Sequence, residues 1–267
     1  MTDAELASAL DFAKGLAHEA GVIMKRYFRA DDIGIELKED DSPVTVADNT
    51  VNALVIEKVK AHYPEFGVIG EEDSYETERE WLWVVDPVDG TSPFSLGLPL
   101  STFCLALVHK GNVQLSVVYD PFLDRLFTAQ LGMGALVNGE PLKVSAVNDF
   151  KNQYALGFRS LKKENHESIN DMFDELQRRG ASFYSFPSFT YGGLLVAEGR
   201  FIAACMQYGS PWDAAAISLI VQEAGGTVTD LSGKPRKFNE WGDGLLVSNG
   251  LVHDEIVRLI DNENPRH

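Results

Sequence analysis

Trp83-Val84-Val85-Asp86-Pro87-Val88-Asp89-Gly90-Thr91-Ser92-Pro93 carries an apolar run into two carboxylates, a glycine and two hydroxyl residues ending in proline. Residues 81–85 read as a buried strand, a short apolar run closed by a turn signal. Asp86 and Asp89 then stand at its exit. Pro87 has a fixed φ and no N–H, which predicts an end to strand pairing and a turn, and Gly90 lets the backbone approach a ligand closely. Thr91 before Ser92-Pro93 reads as a helix N-cap with proline in the first turn. Free N–H groups and the positive end of a helix dipole then face an anion. Carboxylates suited to a hard cation thus adjoin donors suited to a phosphate.

An Asp-Pro-x-Asp-Gly segment by itself is equally a turn. Two other segments bear on that choice. Gly70-Glu71-Glu72-Asp73 again puts carboxylates after an apolar stretch, residues 66–69. Pro211-Trp212-Asp213 opens the helical pattern Ala216, Ile217, Ile220, Val221, Ala224, and Gly225-Gly226 stops it. Three acidic element ends are more than turns require.

Together these segments resemble the signature segments of the inositol monophosphatase family, magnesium-dependent and lithium-sensitive phosphatases. The similarity runs from about Lys38 through Gly226. It implies a layered αβαβα sandwich and Mg²⁺ as cofactor. One ion would be held by Glu71, Asp86 and the carbonyl of Val88, and a second by Asp86, Asp89 and Asp213, with Asp86 bridging. Thr91, hydrogen-bonded to Asp48, would orient and help deprotonate the water that attacks phosphorus, while Gly90 and Thr91 amides beside Ser92 cradle the phosphate. On residue type alone Asp48 reads equally as the cap of its own helix. Glu72 is a neighbour of the ligand glutamate, and Lys38 is either a family-like lysine or an exposed strand-end residue. The resemblance also implies a homodimer. The aromatic segment 183–189 reads as its interface or as core.

The departures from the family pattern fall on the substrate side. Inositol-specific members have a glutamate seven positions before the aspartate of the Trp-Asp segment; here that position is Met206, a weak acceptor. Ser188-Phe189-Thr190-Tyr191 replaces a Gly-Ser-Ala-like segment, and Pro93 removes one amide donor. The expected activity is therefore Mg²⁺-dependent hydrolysis of a small phosphate ester, inositol-monophosphatase-like in chemistry and poor on myo-inositol 1-phosphate. The alternative is a histidinol-phosphate or nucleotide phosphatase (3′-phosphoadenosine or NADP type) of the same superfamily. A phospho-aspartate mechanism is disfavoured because its motif spaces the aspartates two apart, whereas Asp86 and Asp89 are three apart.

Composition narrows the class further. The 267 residues are 45% hydrophobic and 24% charged, enough for a large core. A net charge of −17, from 23 basic against 40 acidic residues, argues against a nucleic-acid partner, and Lys162-Lys163 is too short to act as a basic patch. The same field repels phosphate esters, so the site needs local cations, which a divalent metal supplies. No apolar run reaches membrane-spanning length and residues 1–5 do not begin a leader, so the expectation is a cytoplasmic protein without a membrane partner. Cys104 and Cys205 read as core residues rather than a disulfide, and the six histidines form no ligand-like pair. Gly132-Met133-Gly134 is no dinucleotide loop, because no helix follows it.

Leu6, Leu10, Ala13, Ala17, Ala20, Met24 and Tyr27 predict an amphipathic helix, and residues 48–60 a second. Strands at 102–108, 113–119 and 125–129, with a hairpin at Asn138-Gly139, predict an antiparallel sheet. From Lys151 onward strands (154–157, 183–186, 201–206) alternate with helices (164–179, around Leu194, 214–223), the mark of an α/β layer. Two halves are expected. Residues 1–150 would carry the antiparallel sheet and most metal ligands; residues 151–267 would supply Asp213 and the substrate pocket.

Overall fold

A computed structural model of the chain describes residues 1–30, 33–38, 43–157, 167–185, 187–207 and 209–261. Lys162-Lys163, the expected helix start at 164–166 with His166, Phe186 and His267 lie outside the described residues. In chain order the elements are α1 (Asp3–Tyr27), β1 (Glu36–Leu37), β2 (Pro43–Val44), α2 (Val46–His62), β3 (Gly67–Gly70), β4 (Trp81–Asp89), α3 (Thr91–Ser95), β5 (Thr102–His109), β6 (Asn112–Asp120), β7 (Arg125–Gln130), β8 (Ala135–Val137), β9 (Glu140–Pro141), β10 (Tyr154–Gly157), α4 (Glu167–Arg178), β11 (Ser182–Tyr184), α5 (Phe189–Ala197), β12 (Ala203–Met206), α6 (Pro211–Glu223), β13 (Thr227–Thr229), β14 (Leu245–Ser248) and α7 (His253–Ile260).

Strands β3 to β9 form one seven-stranded sheet in chain order, antiparallel except for the parallel pair β3 and β4. Successive strand residues point to opposite faces, and here both faces are buried. Trp83, Val85, Phe103, Leu105 and Leu107 pack on one side against Ala13 and Ala17 of α1 and Val51 and Val55 of α2. Leu82, Val84, Cys104, Ala106 and Val108 pack on the other against Leu194 of α5 and Ala215 and Leu219 of α6. Double burial explains why β4 and β5 read as continuous apolar runs rather than alternating ones.

Between its polar ends, from Ala214 to Val221, helix α6 is buried throughout and apolar but for Ser218, the pattern of a helix buried on every side. Its far side meets Ala204, Leu245 and Val247 of a second sheet, of order β11-β10-β12-β14-β13. Ala203, Cys205 and Leu246 of that sheet face outward onto Met172 and Phe173 of α4 and Ile256 of α7. The order is helix, sheet, helix, sheet, helix: the αβαβα sandwich. The second sheet is mixed, with β10 parallel to β11 and β12 but β14 antiparallel to β12 and β13.

The Gly132-Met133-Gly134 turn clasps a carboxylate of its own chain. The N–H groups of Gly132 and Gly134 each donate to one oxygen of Glu223, at 2.7 Å, where α6 ends. The aromatic stretch is divided: Phe183 packs edge-on to Phe173, Phe189 is buried, and Tyr184 is exposed beside Tyr154. Cys104 and Cys205 are both buried and free.

Candidate active site

The two aspartates of β4 reach a common face through a bulge. In a regular strand, residues three apart point to opposite sides. Here Asp86 pairs with Cys104 and Asp89 with Thr102, so β4 spends three steps where β5 spends two. That extra residue restores the parity: Asp86 and Asp89 both project on the α6 side, with Leu82 and Val84. Pro87 sits inside the bulge, one of the few sheet positions that tolerates a missing N–H. The sequence-based expectation that Pro87 ends the pairing is thus corrected; the strand continues to Asp89.

A second correction concerns the helix start. Gly90, not Thr91, is the N-cap of α3, with φ 85° and ψ 45°, and Thr91 is its first helical residue. A side chain on Gly90 would be doubly opposed. The left-handed backbone disfavours it, and its Cβ would lie 2.8 Å from the Leu100 carbonyl oxygen. The first main-chain bond of α3 runs from Phe94 N–H to the Gly90 carbonyl, so the N–H groups before it have no acceptor within the helix.

Asp213 comes from the first turn of α6 in the middle layer. One oxygen from each of Asp86, Asp89 and Asp213 lies within 4.8 Å of the other two. Glu71 follows the end of β3, and its N–H donates to the Val85 carbonyl at 3.3 Å, which brings it beside Asp86. Lys38 Nζ donates to Glu71 at 2.8 Å and Glu72 at 2.6 Å, so it is paired and half-buried rather than an exposed strand end. Val88 N–H donates to Asp86 Oδ1 at 3.0 Å, and the Val88 carbonyl accepts from Thr91 Oγ1 at 3.1 Å.

Asp48 serves two purposes, one per oxygen. Its Oδ2 caps α2, accepting from Thr45 N–H at 2.9 Å and Thr45 Oγ1 at 2.5 Å. Its Oδ1 accepts from Thr91 Oγ1 at 3.1 Å. Thr45 is thus the N-cap and Asp48 the third helical residue of a capping box, which leaves its second oxygen to Thr91.

Burial makes these carboxylates reluctant anions. Asp86, 2% exposed, is raised well above the carboxylate range by desolvation and by the charges of Glu71, Asp89 and Asp213. Burial likewise raises Asp89 to about 7, against the Ser188 hydrogen bond, and Asp213 to about 6, against that of Ser210. Asp48 rises to about 6, again through burial, with the Thr45 bonds pulling the other way. Lys38 is committed to Glu71 and Glu72, while Arg236 donates to the main-chain carbonyls of Gly209, Ser210 and Gly244. Two buried carboxylates and the half-buried Asp213, all hard oxygen donors, thus fit a hard divalent cation.

Further residues shape this site, and of these Thr102 and Ser210 carried no sequence signal. Ser188 Oγ donates to Asp89 Oδ2 across 99 positions, and Thr102 Oγ1 donates to the same oxygen at 3.4 Å. Ser210 Oγ donates to Asp213 Oδ2. Ser188 stands in the segment that departs from the family pattern; its observed contact is with a carboxylate of the cluster. Met206, at the end of β12, is 5% exposed and lies in the core shared by α6 and both sheets.

The sequence matches the inositol monophosphatase family over residues 5–264. It is 34% identical over 254 residues to the histidinol-phosphatase of Chlorobaculum parvum, covering 95% of this chain and 96% of that one. It is 31% identical over 253 residues to a fructose-1,6-bisphosphatase/inositol-1-monophosphatase of Thermotoga maritima, covering 94% and 95%. The solved structure of a Thermotoga maritima IMPase superposes with a TM-score of 0.84 at 30% identity, over 95% of this chain and 97% of that one.

Proposed function

The chain belongs to the inositol monophosphatase family and is a phosphoric monoester hydrolase, and from that premise we propose that it is a Mg²⁺-dependent enzyme in which Asp48 and Thr91 activate a water against a small phosphate ester. The observation that carries this reading is the cluster of buried Asp86 and Asp89 with half-buried Asp213, together with the Asp48 and Thr91 pair. Asp86, Asp89 and Asp213, with Glu71 and the Val88 carbonyl, would hold the metal. Bound there, Mg²⁺ supplies Lewis acidity and lowers the pKa of water.

The protein's own groups handle the proton. Thr91 Oγ accepts a proton from the attacking water as its own proton passes to Asp48 Oδ1, leaving one hydroxide equivalent and one neutral carboxylic acid. Asp48 raised to about 6 suits this work, since it is mostly ionised at neutral pH yet still a useful base. The N–H groups of Gly90 and Thr91, with the Ser92 hydroxyl beside them, would bind the phosphate oxygens.

Substrate choice follows from Met206. An apolar thioether in place of a carboxylate leaves inositol ring hydroxyls without an acceptor, so myo-inositol 1-phosphate is expected to be a poor substrate. Histidinol phosphate is the second reading, favoured by the similarity to the Chlorobaculum parvum histidinol-phosphatase. Phosphate release measured over inositol, histidinol, sugar and nucleotide phosphates, with and without EDTA, tests both parts. Undiminished release in excess EDTA rejects the metal, and inositol phosphate as the best substrate rejects the role given to Met206. The proposal includes a cytoplasmic homodimer; among the described residues no helix is long and apolar enough to cross a membrane. A monomer mass by light scattering at micromolar concentration rejects the dimer.

Thr45→Val tests the base directly. The hydroxyl of Thr45 favours ionised Asp48, so its loss raises the Asp48 pKa further. The acid limb of kcat/KM is expected to move up by roughly half to one pH unit, with Thr45→Ser restoring it. An unmoved limb removes Asp48 as the base.

A further inference from the structure

The turn that opens α6 is clamped from outside the helix. Arg236, half-buried in the loop between β13 and β14, donates from Nη2 to the carbonyls of Gly209 and Ser210, the latter at 3.0 Å, and from Nη1 to that of Gly244 at 2.9 Å. One planar guanidinium thus ties three main-chain carbonyls, a task suited to its fixed fork of donors. Two glycines clear its seat. A Cβ on Gly242 would lie 2.6 Å from Arg236 Nε, and one on Gly209 would lie 1.7 Å from the Gly242 carbonyl oxygen. Gly242 N–H closes the contact by donating to the Gly209 carbonyl at 2.9 Å. What the clamp fixes is Ser210, the N-cap of α6. Its hydroxyl makes no capping bond to the helix and donates instead to Asp213 Oδ2. Asp213 is also among the carboxylates whose charge acts on Arg236, so the guanidinium stands close to the acidic cluster.

We propose that Arg236 is a positioning residue for the metal site: through Ser210 it sets the orientation in which Asp213 meets the cation. The inference rests on the metal role proposed above for Asp213. A carboxylate at a helix start turns freely about its own bonds, whereas a ligand must be held within about half an ångström of its productive place. Asp86 and Asp89 are fixed by the β4 bulge and by the hydroxyls that reach Asp89. For Asp213 the corresponding restraint is Ser210, and Ser210 keeps its place because its own carbonyl and that of Gly209 are held. Charge by itself leads to the opposite result. A guanidinium acting only as a counter-charge would repel the metal, and its removal would tighten Mg²⁺ binding. Lysine separates the two roles, since it keeps the charge but cannot span three carbonyls in one plane.

Magnesium affinity, measured by titration calorimetry on the full chain as wild type, Arg236→Lys, Arg236→Met and Gly242→Ala, is the deciding readout. Gly242→Ala displaces the guanidinium without removing its charge, and melts in EDTA establish that each variant is folded. All three variants are expected to bind Mg²⁺ roughly tenfold more weakly than wild type. Phosphate release from the best ester of the panel above should follow. The Mg²⁺ concentration for half-maximal rate rises by the same factor, while kcat at saturating Mg²⁺ stays within about twofold. Ser210→Ala should cost a similar factor, and the pair Arg236→Lys with Ser210→Ala little more than either alone, because both act on one ligand. Wild-type affinity in Arg236→Lys, tighter binding in Arg236→Met, or additive losses in the pair overturns the proposal. A wild type that binds no Mg²⁺, or an Asp213→Asn variant that binds it as tightly, would instead reject the metal reading beneath it.

Discussion

Replacing Asp86 by asparagine is expected to reduce phosphate release by a factor on the order of 10³ or more while leaving the metal-free fold as stable as wild type or more so. The two halves of that expectation have one cause. Asp86 is buried with Glu71, Asp89 and Asp213 around it, and these neighbours push its proton affinity well above the ordinary carboxylate range. Without a cation, folding therefore favours the neutral acid, whose shape an amide reproduces. Asparagine removes a charge that the proposed metal site needs and relieves repulsion in the cluster. Phosphate-release assays and thermal melts with and without Mg²⁺ check both halves. The variant should melt at or above the metal-free wild type and gain far less from Mg²⁺. Wild-type turnover in this variant would falsify the assignment of Asp86, and a collapsed fold would show that the carboxylate is structural.

The metal-free protein should lose stability as pH rises, the reverse of the usual behaviour of paired carboxylates. Asp48 and Asp213 at about 6 and Asp89 at about 7 all lie above their unfolded values, and Asp86 is raised as well. The unfolded chain therefore releases these protons first. Their contribution is fully present below about pH 4 and is lost as pH climbs through 6 and 7. For a chain of this length, the metal-free protein is expected to melt roughly 5–10 °C lower at pH 8 than at pH 5. Mg²⁺ should reverse the trend, with a stabilisation that grows with pH because the ligands must be deprotonated to bind it. Calorimetric melts in EDTA and in Mg²⁺ across this range decide the matter. A metal-free stability that rises from pH 5 to 8 would mean that the cluster is ionised and neutralised by other means.

Much of this molecule was legible in residue order, because much of it is local. The helix over Asp3–Tyr27 follows from the spacing of Leu6, Leu10, Ala13 and Ala17, and the hairpin at Asn138-Gly139 from residues that accept the backbone both adopt, φ 48° and 86°. The acidic ends of β3, β4 and α6 were each visible as an apolar run meeting carboxylates. The fate of Pro87 was not visible. A proline after an apolar run ends a strand in isolation, and only pairing with β5 allows the chain to absorb it as a bulge and continue.

What the sequence determined by itself was the set of chemical groups and the elements bearing them: Asp86, Asp89 and Gly90 on one strand and turn, Asp48 at the start of α2, Asp213 at the start of α6. Tertiary structure decided which oxygen of each would do what. The three-against-two register of β4 on β5 turns Asp86 and Asp89 to one face. The seating of α6 between two sheets brings Asp213 to them. Ser188 reaches Asp89 from 99 positions away, and Trp241, in the loop between β13 and β14, reaches Trp212. Helical and turn preferences are set by a few neighbouring side chains and backbone dihedrals. These juxtapositions depend on how whole layers stack to bury their apolar faces, and no short stretch of residues carries that information.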